Sequence, residues 1–212
     1  MNTNKRPWHS RWLTICLAVF VGLTSAGLAS GCGSGAGGQT AKATPVPVTT
    51  PTPLVAVLRA SLAQARKHLK KVEVEDYMNA SGSKVIGKQV TATYDVSSED
   101  FWDEDNLIAT LATDTVNVLA AGFRDARVKR VNVVYQTTMT DQYGNDSLEK
   151  AVEIDWTRAL WSKVKDPAAF KERLIGDEAT MYQLASWHYV HPGIWKNTKL
   201  PELGIPVMGG PD

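Results

Sequence analysis

The sequence predicts an α+β fold: a single domain in which helices pack mainly on one face of an antiparallel sheet of about four strands. Two observations support this expectation. Some segments repeat apolar residues at helical spacing, whereas others alternate apolar and polar residues, as strands do. The strand-like segments come in adjacent pairs instead of singly between helices, which favours a segregated α+β arrangement. The expected order of elements is α-β-β-α-β-β-α-α.

The first half of this domain is predicted to contain a helix, two strands and a longer helix. Apolar residues in steps of four and three predict the first helix face: Leu58, Leu62, Ala65, Leu69 and Val72. Alternation over 72–78 and 90–96, with a turn at 81–83, predicts two strands. The next helix is expected to run to about Asp125 after an acidic stretch. Its buried stripe comprises Ile108, Leu111, Ala112, Thr115, Leu119 and Phe123.

The second half is predicted to contain a hairpin followed by helices. Residues 128–140 are rich in β-branched side chains, and Val152, Ile154 and Trp156 indicate a return strand beyond a turn at 141–146. Asp166 before Pro167 is typical of a helix start, and Gly176 ends that helix. A last helix is expected over about 177–189. These boundaries give a globular domain at 54–199 and an irregular tail at 200–212.

The N-terminus has the organisation of a secretory signal peptide. Residues 1–31 contain three cations and no acid, followed by an apolar run at 13–23 and small residues before Cys32. This run is shorter than the ~20 residues that span a bilayer. Residues 28–32, Leu-Ala-Ser-Gly-Cys, resemble the lipobox of bacterial lipoproteins. The resemblance implies a signal peptide at 1–31, removed before Cys32, and a lipid, palmitate among its acyl chains, on Cys32.

The alternative is an uncleaved membrane anchor with an incidental cysteine, since residues 12–41 carry no charge. Both interpretations place the domain outside the cytoplasm, because positive flanking charge stays inside. The lipoprotein interpretation predicts a cell-membrane location through the lipid on Cys32. Residues 33–53 contain four glycines, four prolines and five threonines, a composition that predicts a disordered tether.

Charge and cysteine content exclude several classes of function. The whole chain has 23 Lys and Arg against 22 Asp and Glu, and residues 32–212 carry a net charge of −2, which argues against nucleic-acid binding. The two cysteines, Cys16 and Cys32, both precede the domain, so thiol catalysis and an internal disulfide are excluded there. The sequence contains neither a glycine-rich phosphate loop nor a G-x-S-x-G or H-E-x-x-H motif. No cofactor is predicted.

Two groups of side chains are candidates for a site. His188 and His191 would share one side of a helix and could begin a zinc site, but histidines in such a position are more often packed and hydrogen-bonded, and no full ligand set is visible. Aromatic residues that could bind a ligand or partner crowd the last third: Trp156, Trp161, Tyr182, Trp187, Tyr189 and Trp195. They could also simply build the core.

Charged runs offer weaker candidates. The carboxylates at 99–105 could bind calcium, but acids also stabilise the start of a helix. The basic runs at 66–71 and 124–130 could contact anionic lipid or an acidic partner, or could simply be solvated.

The sequence thus predicts a membrane-anchored, extracytoplasmic, non-catalytic module that binds an envelope protein or another envelope component. A carrier with an apolar pocket for a small ligand is the second hypothesis. An envelope hydrolase that uses dispersed carboxylates or the two histidines is the third. A deep, closed pocket would favour the carrier, and an exposed aromatic patch of several hundred Å² would favour the protein-binding module. Convergent carboxylates with raised pKa, or a third ligand beside both histidines, would favour the hydrolase.

Overall fold

Helices and strands alternate along the part of the chain that the computed structural model describes, residues 53–141 and 143–210. The first half contains α1 (Leu54–Ala65), β1 (Leu69–Met78), β2 (Val85–Asp95) and α2 (Glu104–Gly122). The hairpin strands are β3 (Val128–Thr140) and β4 (Asp146–Thr157). The remaining elements are short: α3 (Arg158–Trp161), α4 (Pro167–Arg173), α5 (Ala179–Leu184), β5 (Trp187–Val190), α6 (Pro192–Trp195) and β6 (Met208–Gly209).

The six strands of these residues form one sheet in chain order, β1 to β6. Neighbouring strands are antiparallel, except that β2 and β3 are parallel. This confirms the α+β class, but the prediction of about four antiparallel strands is wrong in number and in one pairing. A parallel pair needs a long crossover connection, which α2 supplies between β2 and β3. The two added strands, β5 and β6, are too short to show alternation.

The core lies between one face of the sheet and the helices. Val90, Ala92 and Tyr94 on β2 alternate inward and stand opposite inward-facing residues of β3. The hydroxyl of Tyr94 donates to the carbonyl oxygen of Leu62 in α1 at 3.1 Å, and Phe170 of α4 packs against Trp156 of β4. Both contacts join helices to the same face, while the other face carries mainly polar side chains.

The first helix is shorter than its apolar spacing predicts. α1 ends at Ala65, and Leu69 and Val72 belong to β1, so the prediction of one continuous helix face through Val72 is wrong. His68, with φ 60°, turns the chain between the two elements. Pairing of Val72 with Ala92 of β2 buries the valine against the sheet. That burial and the strand hydrogen bonds outweigh the local helical pattern.

The C-terminal region also departs from the predicted helix over 177–189. α5 covers only six residues, and β5 adds a strand along β4, with His188 opposite Ile154. The backbone of β4 would otherwise be an unpaired edge, and β5 satisfies its hydrogen-bonding groups. In the region predicted as an irregular tail, Leu200 and Ile205 are buried and β6 joins the sheet.

Several local predictions are confirmed. β3 covers residues 128–140, and α2 buries the predicted stripe. Asp166 caps α4 by accepting the amides of Ala168 and Ala169 at 2.9 and 3.1 Å. Among the described residues, every helix is too short or too polar to cross a bilayer. The signal peptide, Cys32 and the tether up to residue 52 lie outside those residues.

Candidate functional site

An open pocket of about 460 Å³ lies beside the end of β4, between α3, α4 and the end of α5. This volume is within the range of small-molecule sites. Its apolar wall comprises Trp156, Leu160, Val164, Ala169, Phe170 and Leu184. Its charged members are Lys163, Lys165, Asp166 and Arg173. The arrangement suits a ligand with an apolar body and a negative group.

Aromatic packing and two helix caps hold this wall in place. The Trp156 ring meets Phe170 at 6.1 Å and Trp161 at 6.0 Å between centroids, both edge-on. Trp161 in turn stacks on Phe123 at 6.1 Å. Thr157 caps α3 and Asp166 caps α4, so the loop between these helices starts and stops at defined positions. The pocket is therefore built on the sheet and the core.

Trp156, which lines the pocket, carries a buried donor without a partner within the described ranges. Its side chain is 1% exposed, and its indole Nε1 has no hydrogen-bond partner among the described residues. A buried donor without an acceptor costs roughly 1–3 kcal/mol.

The rim of the pocket carries uncompensated positive charge. Lys163, Lys165 and Arg173 form no ion pair with any residue in the described ranges. Asp166 is the only acid there, and its Oδ1 accepts two backbone amides of α4. The guanidinium carbon of Arg173 lies 5.4 Å from the ring centroid of Phe170. Positive groups therefore border the apolar wall directly.

The six aromatic residues predicted as a binding group do not form one surface. Trp156 reaches the pocket and Trp161 packs behind it, but Tyr182 is buried and donates to the carbonyl oxygen of Ile108. Trp187 and Tyr189 point from β5 to the polar face of the sheet, where Lys150 Nζ lies 4.8 Å from the Tyr189 ring centroid.

The sixth aromatic residue, Trp195, anchors the chain after α6 because its Nε1 donates to the carbonyl oxygen of Ile205 at 2.8 Å. It is half-buried and lies apart from the pocket wall.

The two histidines lie on and just after β5, not on a helix. His188 is buried, and its Nε2 donates to the carbonyl oxygen of Pro206 at 3.1 Å. Burial lowers the pKa of His188, so the ring is neutral at pH 7. His191 Nδ1 accepts the amide of Gly193, and its Nε2 lies 3.3 Å from Glu149. The described residues contain no cluster of three or more metal-binding side chains.

Three carboxylates of the acidic run at 99–105 accept hydrogen bonds at the start of α2. Asp103 caps the helix by accepting the amide of Asn106 at 2.8 Å. Glu104 accepts from Asn197 at 2.9 Å, and Asp105 accepts the amide of Lys199 at 2.8 Å. These three carboxylates thus hold the helix start and the chain after α6 together.

A buried arginine cluster was missed by the sequence analysis. Arg66, assigned there to a basic run, is 6% exposed, and its guanidinium donates to both carboxylate oxygens of Glu99 at 2.6 and 2.8 Å. Its Nε lies 3.1 Å from Asp114. The guanidinium carbon also lies 5.2 Å from the Tyr135 ring centroid. Burial raises the pKa of Asp114 even with this cation adjacent.

Arg66 directly follows α1 and pairs with Glu99, in the segment before α2, and with Asp114 in α2. These two ion pairs therefore connect α1 to α2. The local sequence signal for this cluster is weak: a cation that directly follows an apolar helix face.

Comparisons with protein-family models, with curated proteins and with solved structures find no match to this chain.

Proposed function

We propose that this protein is a lipid-anchored, extracytoplasmic binding module that carries a small amphiphilic anion in the pocket beside Trp156. The observation that supports the proposal is the pairing of an apolar wall with three cations that lack ion-pair partners in the described residues. Each buried methylene of such a ligand contributes about 0.8 kcal/mol. A chain of about eight methylenes thus gains roughly 6 kcal/mol before the entropic cost of association is subtracted.

The pocket is open and not closed as the carrier hypothesis expected, but its apolar wall and charged rim still support a carrier more than the other two hypotheses. A docking surface for an envelope protein was expected to include the six aromatic residues, but these are buried or half-buried and face different directions. A hydrolytic site was expected to show convergent carboxylates with raised pKa or a third ligand beside the histidines. Burial does raise the pKa of Asp114, but this carboxylate is not free. Glu99 and Asp114 are instead paired with Arg66.

The carrier is tested with residues 33–212, purified without lipid or detergent. All buried apolar residues of the described ranges lie between Leu58 and Ile205, so this chain keeps the whole core. Calorimetric titration with dodecanoate should show saturable binding at one site. Dodecanol should bind more weakly, and dodecyltrimethylammonium most weakly, because it meets positive charge at the rim.

A pocket-filling variant and a matched control give the decisive comparison. Ala169→Phe places a large ring in the pocket wall, whereas Ala63→Phe places the same ring on an exposed position of α1. The first variant should weaken dodecanoate binding at least ten-fold and the second should leave it unchanged. Equal affinity in both variants, or non-saturable uptake by the parent chain, would refute the carrier.

The anchor is tested separately in cells. The mature protein should have a mass that includes acyl chains on Cys32, and Cys32→Ala should release it from membranes or leave its signal uncleaved. A mature mass without lipid would refute the lipoprotein interpretation and leave the pocket proposal standing.

A further inference from the structure

The end of the domain that contains the pocket is assembled from two basic segments, residues 124–130 and 158–173. Arg158 joins them, because its guanidinium donates to the carbonyl oxygens of Val128 at 2.6 Å and Phe123 at 2.8 Å. Stacking of Phe123 on Trp161 adds a second contact. These two segments are called the basic end below.

The basic end holds nine cations against three carboxylates. Some of this charge is neutralised locally, since Arg127 pairs with Asp125 at 2.8 Å and Arg130 pairs with Asp155. Lys171 faces Asp114 from α4. Seven of the nine form no ion pair in the described ranges, and of these Arg158 is held by backbone carbonyl oxygens and Lys171 is attracted to Asp114. The other five are Arg124, Lys129, Lys163, Lys165 and Arg173. The last three border the pocket.

The opposite end of the sheet holds an acidic segment with cations beside it. Residues 95–105, which begin with the last residue of β2, contain six carboxylates and no cation. Arg66 and Lys70 compensate part of this charge, because they pair with Glu99 at 2.6 Å and with Asp95 at 3.8 Å. Because β2 runs parallel to β3, Asp95 stands beside Gln136, eight residues beyond Val128. At the strand rise, this separates the two ends by about 25 Å.

We propose that the basic end docks on an anionic phospholipid bilayer, with the pocket mouth facing the headgroups. The length of chain before the domain supports this occupant, because the composition of the 21 residues 33–53 predicts a tether with a reach of ~25 Å, enough for the domain to contact the membrane that would hold a lipid on Cys32. The inference rests on the proposed lipid anchor at Cys32, which would keep the domain close to a membrane. It also explains how an amphiphilic anion would enter the pocket from that membrane. Docking itself is a property of the domain and needs no lipid on Cys32.

Each unpaired cation at an anionic surface strengthens binding by roughly five-fold. Residues 33–212 are sedimented with vesicles of phosphatidylcholine alone and with vesicles that also contain phosphatidylglycerol. The chain should bind only the anionic vesicles, and added salt should release it. Lys163→Gln combined with Lys165→Gln should weaken this binding on the order of 20-fold.

Two further double variants separate docking from pocket binding. Lys196→Gln with Lys199→Gln removes the same charge near the acidic segment and should leave vesicle binding nearly unchanged. Arg124→Gln with Lys129→Gln lies outside the pocket wall, so it should weaken vesicle binding and leave dodecanoate affinity in solution intact. Equal binding to neutral and anionic vesicles, or equal losses in the Lys196 and Lys163 double variants, would overturn the docking proposal. Titration of the same preparations with dodecanoate tests the proposed binding in the pocket independently of docking.

Discussion

Replacement of Arg66 by methionine should destabilise the domain more at neutral pH than in acid. The change preserves apolar bulk but leaves Glu99 and Asp114 without the guanidinium that now bonds both. Removing one partner of a buried ion pair costs about 3–5 kcal/mol. The carboxylate side chains of Glu99 and Asp114 are 23% and 28% exposed, so water compensates part of the loss. We expect the free energy of unfolding to fall by about 2–4 kcal/mol.

The pH dependence follows from the direction of the Asp114 pKa. Burial raises this pKa in the folded state, and Arg66 opposes the rise. Without Arg66 the pKa rises further, so the folded state binds a proton more tightly than the unfolded state does. The folded variant is therefore penalised above its own Asp114 pKa, and the penalty disappears as the pH falls below the unfolded value of about 3.9. The difference from the parent chain should shrink in acid.

Urea unfolding of the parent chain and variants, followed by circular dichroism at several pH values, measures these differences. Arg59→Met is the matched control, because Arg59 is exposed on α1 and has no ion pair among the described residues, and its effect should stay within about 0.5 kcal/mol. Adding Glu99→Gln and Asp114→Asn to Arg66→Met should recover most of the loss. A loss below about 1 kcal/mol at neutral pH, or one that grows in acid, would refute the reasoning.

Three other substitutions follow from local geometry. Asp166→Ala removes the cap of α4 and should cost about 0.5–2 kcal/mol in urea unfolding. Gly122→Ala places a Cβ 2.9 Å from Val131 Cγ2, and this overpacking should lower the free energy of unfolding by about 1–3 kcal/mol. An unchanged melting temperature would contradict the close packing of α2 on β3. Because burial lowers the pKa of His188, the contribution of this residue to stability is complete above its unfolded pKa of ~6.5. It is lost below that pH, as the pH falls to the lower folded-state pKa, and His188→Gln should flatten this part of the stability profile.

Local signals predicted those parts of the fold that depend on neighbouring residues. The buried stripe of α2, the β-branched run of β3 and the cap at Asp166 each lie within a short segment, and each is confirmed. The helix expected through Val72 was wrong because pairing with β2 competes with the local pattern, and local pattern does not reveal a partner strand.

The candidate site was predictable only in part. Trp156 was named from the sequence, but its role in the pocket depends on α3, α4 and α5 packing around it from later in the chain. Lys163, Lys165 and Arg173 attracted no prediction, since isolated cations at irregular spacing are ordinary surface residues. In the Arg66 cluster, Glu99 and Asp114 come 33 and 48 positions after Arg66 in the sequence, which is beyond the range of any local signal.

The sequence by itself determined the α+β class, the position of its longest elements and the absence of cysteine from the domain. These follow from composition and from periodicities of two and 3.6 residues, which short segments carry alone. Tertiary structure decided the six-stranded order, the parallel pair at β2 and β3, and the grouping of cations around an apolar wall. Such features depend on which distant segments bury each other, because burial of apolar surface and pairing of strand edges are satisfied only by the folded chain as a whole.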